Sequence, residues 1–233
     1  MRSLLLRALR RRPARVIPFR WRLIGFTAGA LLPVALFSAA TVSRLAAGER
    51  EANRQRLVAD ARTLAEGVDR ETTATFRALQ ALGGSERLER GDLDGFREDA
   101  VRVLRTQPTW HAVILSRPDG QRLLDTRRTP AAGPPRDPRS LQEAVATGEP
   151  VLGDVFTGPD GDLLVAARIP LMHRGRVRHV LTALIPADAL RELVRVPGYG
   201  ENPWIRTLVD RSGTVVARSR SPERFVGQPS PPR

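Results

Sequence analysis

Trp110–Thr126 reads WHAVILSRPDGQRLLDT, and its middle decides the fold. Trp110 to Ser116 is apolar and rich in β-branched residues, as a strand half-buried in a sheet requires. Pro118-Asp119-Gly120 is a turn with a mechanism: proline pre-sets φ and glycine accepts a positive φ. Gln121 to Thr126 returns as the second arm. A hairpin here predicts an antiparallel sheet.

Towards the C-terminus, residues 129–139 carry Pro130, Pro134, Pro135 and Pro138 and read as a loop within one domain. Ser140 to Thr147 is a short helix, capped by Ser140 and closed by Gly148. Strands follow at 151–157, 163–171 and 177–185, the first two joined through Gly158-Pro159-Asp160-Gly161. A helix near 187–195 ends at Pro197-Gly198. Trp204–Asp210, the turn Arg211-Ser212-Gly213 and Thr214–Ser219 then repeat the strand–turn–strand of 110–126, as an incomplete second copy of one module. Residues 229–233 are a Pro-rich end.

Towards the N-terminus, a helix over about 92–106 stops at Pro108. Residues 45–82 read as one long helix. Its apolar stripe runs from Leu57 through Ala61, Leu64, Val68, Thr72 and Phe76 to Leu79 and Leu82, at spacings of three and four. Gly83-Gly84 ends it. Two readings stay open: a helix packed on its own domain, or one that also meets the same helix of a second subunit.

Leu23 to Ser43 is uncharged and mostly Leu, Ala, Phe, Val and Gly. It spans roughly 30 Å as a helix, the thickness of a bilayer's hydrocarbon core. Pro33 is tolerable there, because a membrane helix absorbs a kink. Trp21 marks the interface. Arg2, Arg7, Arg10, Arg11, Arg12, Arg15, Arg20 and Arg22 precede the segment, and no acidic residue occurs before Glu49. The positive-inside rule puts residues 1–22 in the cytoplasm and the chain beyond Arg44 outside it. Cleavage near Ser38-Ala39-Ala40 as a signal peptide is the rival reading; a fully apolar span of this length favours an anchor.

The formal net charge of +13 is therefore mainly a tail. It is a topology signal and not a nucleic-acid groove, which needs clustered charge interleaved with aromatics. The chain has no cysteine, which excludes disulfides, thiolate nucleophiles and sulfur metal sites. His111, His173 and His179 form no His-x-x-x-His pair. No Gly-x-Ser-x-Gly elbow and no Walker or dinucleotide glycine fingerprint occurs. The expectation is no enzyme activity, no metal and no cofactor.

In this order the elements resemble a double Cache (tandem PAS-like) sensor domain, the extracytoplasmic input region of bacterial sensor histidine kinases and chemoreceptors. The local matches are Leu115-Ser116-Arg117-Pro118-Asp119-Gly120, Thr147-Gly148-Glu149-Pro150, Asp154-Val155-Phe156-Thr157-Gly158, Ala167-Arg168-Ile169-Pro170-Leu171 and Leu208-Val209-Asp210-Arg211-Ser212-Gly213. Val216-Ala217-Arg218-Ser219 and Pro222-Glu223-Arg224-Phe225-Val226-Gly227 strengthen the likeness, which covers about residues 45–228.

The resemblance implies an α+β chain. Its parts are a cytoplasmic tail (1–22), a transmembrane helix (23–43), a long helix (45–82), a first PAS-like Cache module (83–197) and the start of a second (198–228). It implies the front part of a histidine kinase in the bacterial inner membrane, with a periplasmic sensor region, acting as a homodimer. Such receptors carry a second membrane helix and a kinase module, which this sequence lacks. A stand-alone, membrane-tethered periplasmic scaffolding protein is the alternative.

PAS-like modules enclose a small-molecule site, which by position and resemblance falls to Trp110, Arg127, Asp154, Phe156 and Arg168. An arginine beside a strand can clamp a carboxylate bidentately, so the expected ligand is anionic or zwitterionic. Each has a plainer reading. Trp110 and Phe156 suit a core, Arg127 suits a solvated strand end, and Arg168 with Asp154 suits a structural ion pair.

Overall fold

The computed structural model describes residues 19–127, 135–195 and 204–230; within them, the side chains of 19–36 and 39–52 are not described. The chain divides into two compact units, Met1–Asp60 and Ala61–Arg233.

Helix α1 (Phe19–Gly83) runs as one helix of 65 residues, joining the two stretches read separately as an anchor and a long helix. Among the described residues no helix is long and apolar enough to cross a membrane. The anchor expected at 23–43 falls on side chains outside that description, apart from Phe37 and Ser38. The tail 1–18 and the stops at Pro197 and Gly198 also lie outside the described residues.

The second unit is built on an antiparallel sheet. Its strands are β1 (Ala112–Ser116), β2 (Arg122–Asp125), β3 (Val151–Leu152), β4 (Phe156–Thr157), β5 (Leu163–His173) and β6 (Arg176–Pro186). The order is β2-β1-β6-β5-β3, with β4 also on β5. Strands β7 (Thr207–Val209) and β8 (Val215–Arg218) form a separate two-stranded sheet.

Three tight turns share one design. Gly120 N–H donates to the Arg117 carbonyl at 3.0 Å and Arg117 N–H to Gln121 at 2.8 Å. The same pair of bonds closes Gly158–Asp162 and Asp210–Thr214. In each a glycine has positive φ: Gly120 at 90°, Gly161 at 87° and Gly213 at 83°. This is a type I turn followed by a left-handed residue that forms a bulge. Register shifts beside the first and third mark the bulge. The hairpin repeat legible in the sequence is thus a repeat in geometry. The β5–β6 turn differs: Arg174 and Gly175 both take positive φ, 50° and 76°, as a two-residue hairpin of the right hand requires.

Helices cover one face of the sheet. Leu79 and Leu82 of α1, and Phe96 and Ala100 of α3 (Leu93–Thr106), are buried there with Leu190 and Val194 of α5 (Ala187–Val194). They pack with Val113 and Leu115, with Val165, Ala167 and Ile169, and with Leu181, Ala183 and Ile185 in one cluster. Every second residue of each strand contributes, as the pleat demands. Asp92 caps α3, accepting from Gly95 N–H at 2.9 Å. Two helices of four residues, α2 (Glu86–Glu89) and α6 (Pro222–Phe225), have no counterpart in the sequence reading.

Helix α4 (Pro138–Thr147) starts earlier than expected, and its cap is Asp137, not Ser140. Pro138 at the first position needs no partner for a missing N–H, which favours the residue before it as the cap. The strand expected at 151–157 is interrupted at Gly153–Val155. The Val155 N–H leaves the ladder and donates to Asp210 Oδ2 at 3.0 Å.

Candidate functional site

The second face of the sheet carries the even-numbered residues of β5. Ala112, Ile114, Leu164, Ala166 and Leu184 form a small buried cluster there, and Phe156 packs against it. Asp125 stands opposite Ile114 in register, so it borders this apolar floor, and it is only 1% exposed.

Arg127 follows two residues later. Its N–H donates to Asp125 Oδ1 at 3.0 Å, and its Nε lies 3.5 Å from the same oxygen. Its Nη1 is 4.0 Å from Asp160 Oδ2, so the β4–β5 turn reaches this corner too. Among the described residues, Arg127 Nε, Arg127 Nη1 and Asp125 Oδ2 are buried atoms with no hydrogen-bond partner. Buried charged groups are ordinarily paired and fully bonded. This corner thus holds two donors and one acceptor without hydrogen-bond partners beside an apolar floor. Nearby, His111 Nε2 lies 4.0 Å from Asp162 Oδ2.

Arg168 lies on the same face but is already engaged. Its Nε donates to Ser140 Oγ at 2.7 Å, Nη1 to Thr182 Oγ1 at 3.0 Å and Nη2 to the Asp137 carbonyl at 3.1 Å. Nη2 is also 3.8 Å from Asp137 Oδ2, and the Ser140 hydroxyl donates to the same carboxylate. The ion pair expected with Asp154 is made with Asp137 instead. Burial pushes the guanidinium below its ordinary pKa and the Asp137 charge works against that; an arginine stays charged through both. Arg168 therefore pins the first turn of α4 to the sheet.

Trp110 and Asp154 are elsewhere. Trp110 is buried on the helix-covered face, its Nε1 donating to Thr75 Oγ1 at 3.4 Å. Asp154 sits in the break between β3 and β4, 4.0 Å from Arg211 Nε. Of the five expected residues, Arg127, Phe156 and Arg168 thus share one face of the sheet, each with its own partners. Asp125, Asp137, Ser140 and Thr182 were not in that set. Asp125 carried a readable signal: a carboxylate closing an apolar strand whose hairpin partner is Ile114. Among the described residues no three His, Asp or Glu side chains gather as a metal site.

The β7–β8 turn docks on the first sheet. Arg211 Nη1 donates to Glu143 Oε1 of α4 at 2.8 Å and Nη2 to the Leu152 carbonyl at 3.2 Å. The Arg211 hydrogen bond holds the Glu143 carboxyl below its usual pKa. Burial alone would raise Asp210, but bonds from Ser212, Thr214 and Val155 outweigh it and hold that carboxyl low.

No protein-family model matches the sequence, and no curated protein sequence does. Solved structures match in shape. Methyl-accepting Chemotaxis protein X aligns over 74% of this chain and 75% of its own, with a TM-score of 0.58 and 14% identity. The fold is that of the Cache-type ligand-binding domains. The ligand-binding domain of the Pseudomonas fluorescens chemoreceptor CtaA, in complex with L-isoleucine, covers 71% of this chain and 67% of its own at a TM-score of 0.56 and 11% identity. The extracellular domain of mmHK1S-Z3, named as a histidine kinase, covers 70% and 67% at 0.51 and 15%. The Cache fold thus recurs in chemoreceptors and in histidine kinases.

Replacing Arg168 by leucine leaves the Asp137 carboxylate, largely buried, without its cation. The expected loss is about 3–5 kcal/mol of stability, read by urea unfolding, because one half of a buried pair is stranded. The double variant Arg168→Leu with Asp137→Leu recovers part of it. A single variant within about 0.5 kcal/mol of the parent would show the network to be dispensable.

Proposed function

We propose that this chain is the extracytoplasmic ligand-sensing input region of a two-component sensor histidine kinase. It takes a small zwitterionic or anionic metabolite on the second face of the first sheet. The observation that carries this reading is the Arg127–Asp125 corner, with its two idle donors and one idle acceptor beside an apolar floor. A ligand carboxylate pairs with the Arg127 guanidinium, its ammonium with Asp125 Oδ2, and an apolar side chain lies on Ile114, Leu164 and Phe156. The Cache fold supports this, since CtaA was solved with an amino acid bound. Arg168 acts by positioning α4 and not by touching the ligand.

The tail 1–22 is cytoplasmic in this reading, 23–43 is the anchor, 45–82 the emergent helix, 83–197 the first module and 198–228 the start of the second. Phe37, 75% exposed, fits an apolar segment whose surroundings are lipid. Two copies pair through the emergent helix. Val58, 56% exposed, and the exposed Ala61 and Ala65 form a line at spacings of three and four that the domain leaves uncovered. Leu79 and Leu82, in contrast, are consumed by their own core.

Screening the standard L-amino acids and small dicarboxylates by thermal shift tests the site. At a hundredfold excess over its Kd, a ligand adds about 2.7 kcal/mol and raises Tm by roughly 5–10 °C. Arg127→Ala should abolish the shift. Because it also strands the buried Asp125 and lowers the unliganded Tm, the shift is read against the variant's own unliganded Tm and beside Asp125→Asn with Arg127→Ala. No shift across the panel, or an unchanged shift in Arg127→Ala, would remove the proposal.

Topology is read with a reporter active only outside the cytoplasm. Fused after Ser219 it is expected to work, and after Arg15 to be silent; the opposite pattern reverses the orientation. Pairing is read by single cysteines at Val58, Ala61 and Ala65 in membranes. Disulfide dimers are expected at these positions and not at Leu64 or Val68, which face their own domain. Failure at all three positions ends the case for a helix-mediated pair.

A further inference from the structure

The helix-covered side of the sheet is not filled. A cavity of about 290 Å³ lies between it and the β7–β8 hairpin. Val165 and Ile185 form its floor, Val68 and Leu193 line it from α1 and α5, and Leu208 and Val216 face it from the hairpin. Protein interiors hold few voids larger than a water molecule, and an apolar one stays dry and admits apolar guests. Scaled from the roughly 150 Å³ that accepts benzene, this space suits on the order of ten non-hydrogen atoms.

The charged part of the cavity's lining is mostly acidic. Glu71, Asp154, Asp210 and Arg211 form it. Arg211 is spent on Glu143 and the Leu152 carbonyl. Asp210 Oδ1 accepts from Ser212 N–H, Ser212 Oγ and Thr214 N–H, and its Oδ2 accepts from Val155 N–H. Glu71 Oε1 accepts from the Thr109 hydroxyl at 3.2 Å. Asp154 is different: among the described residues no hydrogen bond reaches its carboxylate, its side chain keeps 28% exposure, and Arg211 Nε stands off at 4.0 Å from the buried Oδ1. Among the described residues that line the cavity, Arg211 is the one cation, and an anionic guest would meet three carboxylates. A cation or a strong donor finds the partly exposed Asp154 carboxylate, which no hydrogen bond engages among the described residues.

We propose that this cavity is a second ligand site, separate from the Arg127 corner, for a compact apolar amine whose ammonium group binds Asp154. Its body fills the space between sheet, α1, α5 and hairpin. The guest joins Leu208 and Val216 of the second sheet to Val165 and Ile185 of the first.

The test uses the full chain in lipid nanodiscs, with 2-phenylethylamine and its anionic counterpart 3-phenylpropionate as probes in calorimetric titrations, each corrected against empty nanodiscs. Saturable, one-to-one binding of the amine is expected, with 3-phenylpropionate at least about tenfold weaker, the size of one lost charge-assisted bond. Asp154→Asn preserves the shape and should weaken the amine about tenfold or more. Leu193→Trp, at a half-buried position, fills the cavity and should abolish binding. Equal binding of both probes, or no loss in Asp154→Asn, would overturn the amine assignment. No saturable signal above the blank, or full binding in a folded Leu193→Trp, would overturn the site itself.

Discussion

The pairing of β5 with β6 is the constraint on which the rest of the second unit depends. Leu164 to His173 runs in register against Pro186 to Arg176, and β1, β3 and β4 attach to this pair. Both faces of β5 are buried, so its alternate residues meet two different environments. Val165, Ala167 and Ile169 face the helices; Leu164, Ala166 and Arg168 face α4 and the site. A slip of one residue would exchange the two sets and drive a guanidinium into the helix-facing core. Register is therefore fixed by a charge as much as by apolar area, since a buried guanidinium is tolerable only where Ser140, Thr182 and Asp137 receive it.

What was legible in the sequence was local. The Pro118-Asp119-Gly120 hairpin, the long β5–β6 pair and its flanking helices have their causes within a few residues, as turn chemistry and alternating burial. Three of the misreadings share one physical source, a partner far away in the chain. The strand 151–157 breaks because Asp210, some fifty residues on, takes the Val155 N–H. Arg168 pairs with Asp137 and not Asp154 because α4 folds back over the sheet. On α1 the stripe passed over Thr75, which is 2% exposed because Trp110 Nε1 donates to it. A threonine on an apolar stripe looks neutral until the donor above it is known. The start of α4 was a different kind of miss, since Asp137-Pro138 announces a cap locally.

Of the residues expected for a site, the types were legible in the sequence and their partners were not. Arg127 and Arg168 both follow apolar stretches, and the structure gives them different partners. The difference is saturation. Every nitrogen of the Arg168 guanidinium donates a hydrogen bond within the protein, whereas Arg127 leaves Nε and Nη1 unused. No spacing rule in one sequence separates the two, because saturation depends on what other segments bring to the same place.

Helix α4 gives the two faces a common mechanical element. Its first turn holds Arg168 on the site face through Asp137 and Ser140, and one turn later its Glu143 holds Arg211 of the β7–β8 hairpin. A displacement of α4 would strain the Arg168 network and the Glu143–Arg211 bond together. Contiguity becomes coupling only where an element has two arrangements that both ligands bias. The interrupted β3–β4 segment is the natural place for a second arrangement. The Val155 N–H is held there by a side chain from the hairpin rather than by its own ladder, so the bond can be lost without breaking the sheet.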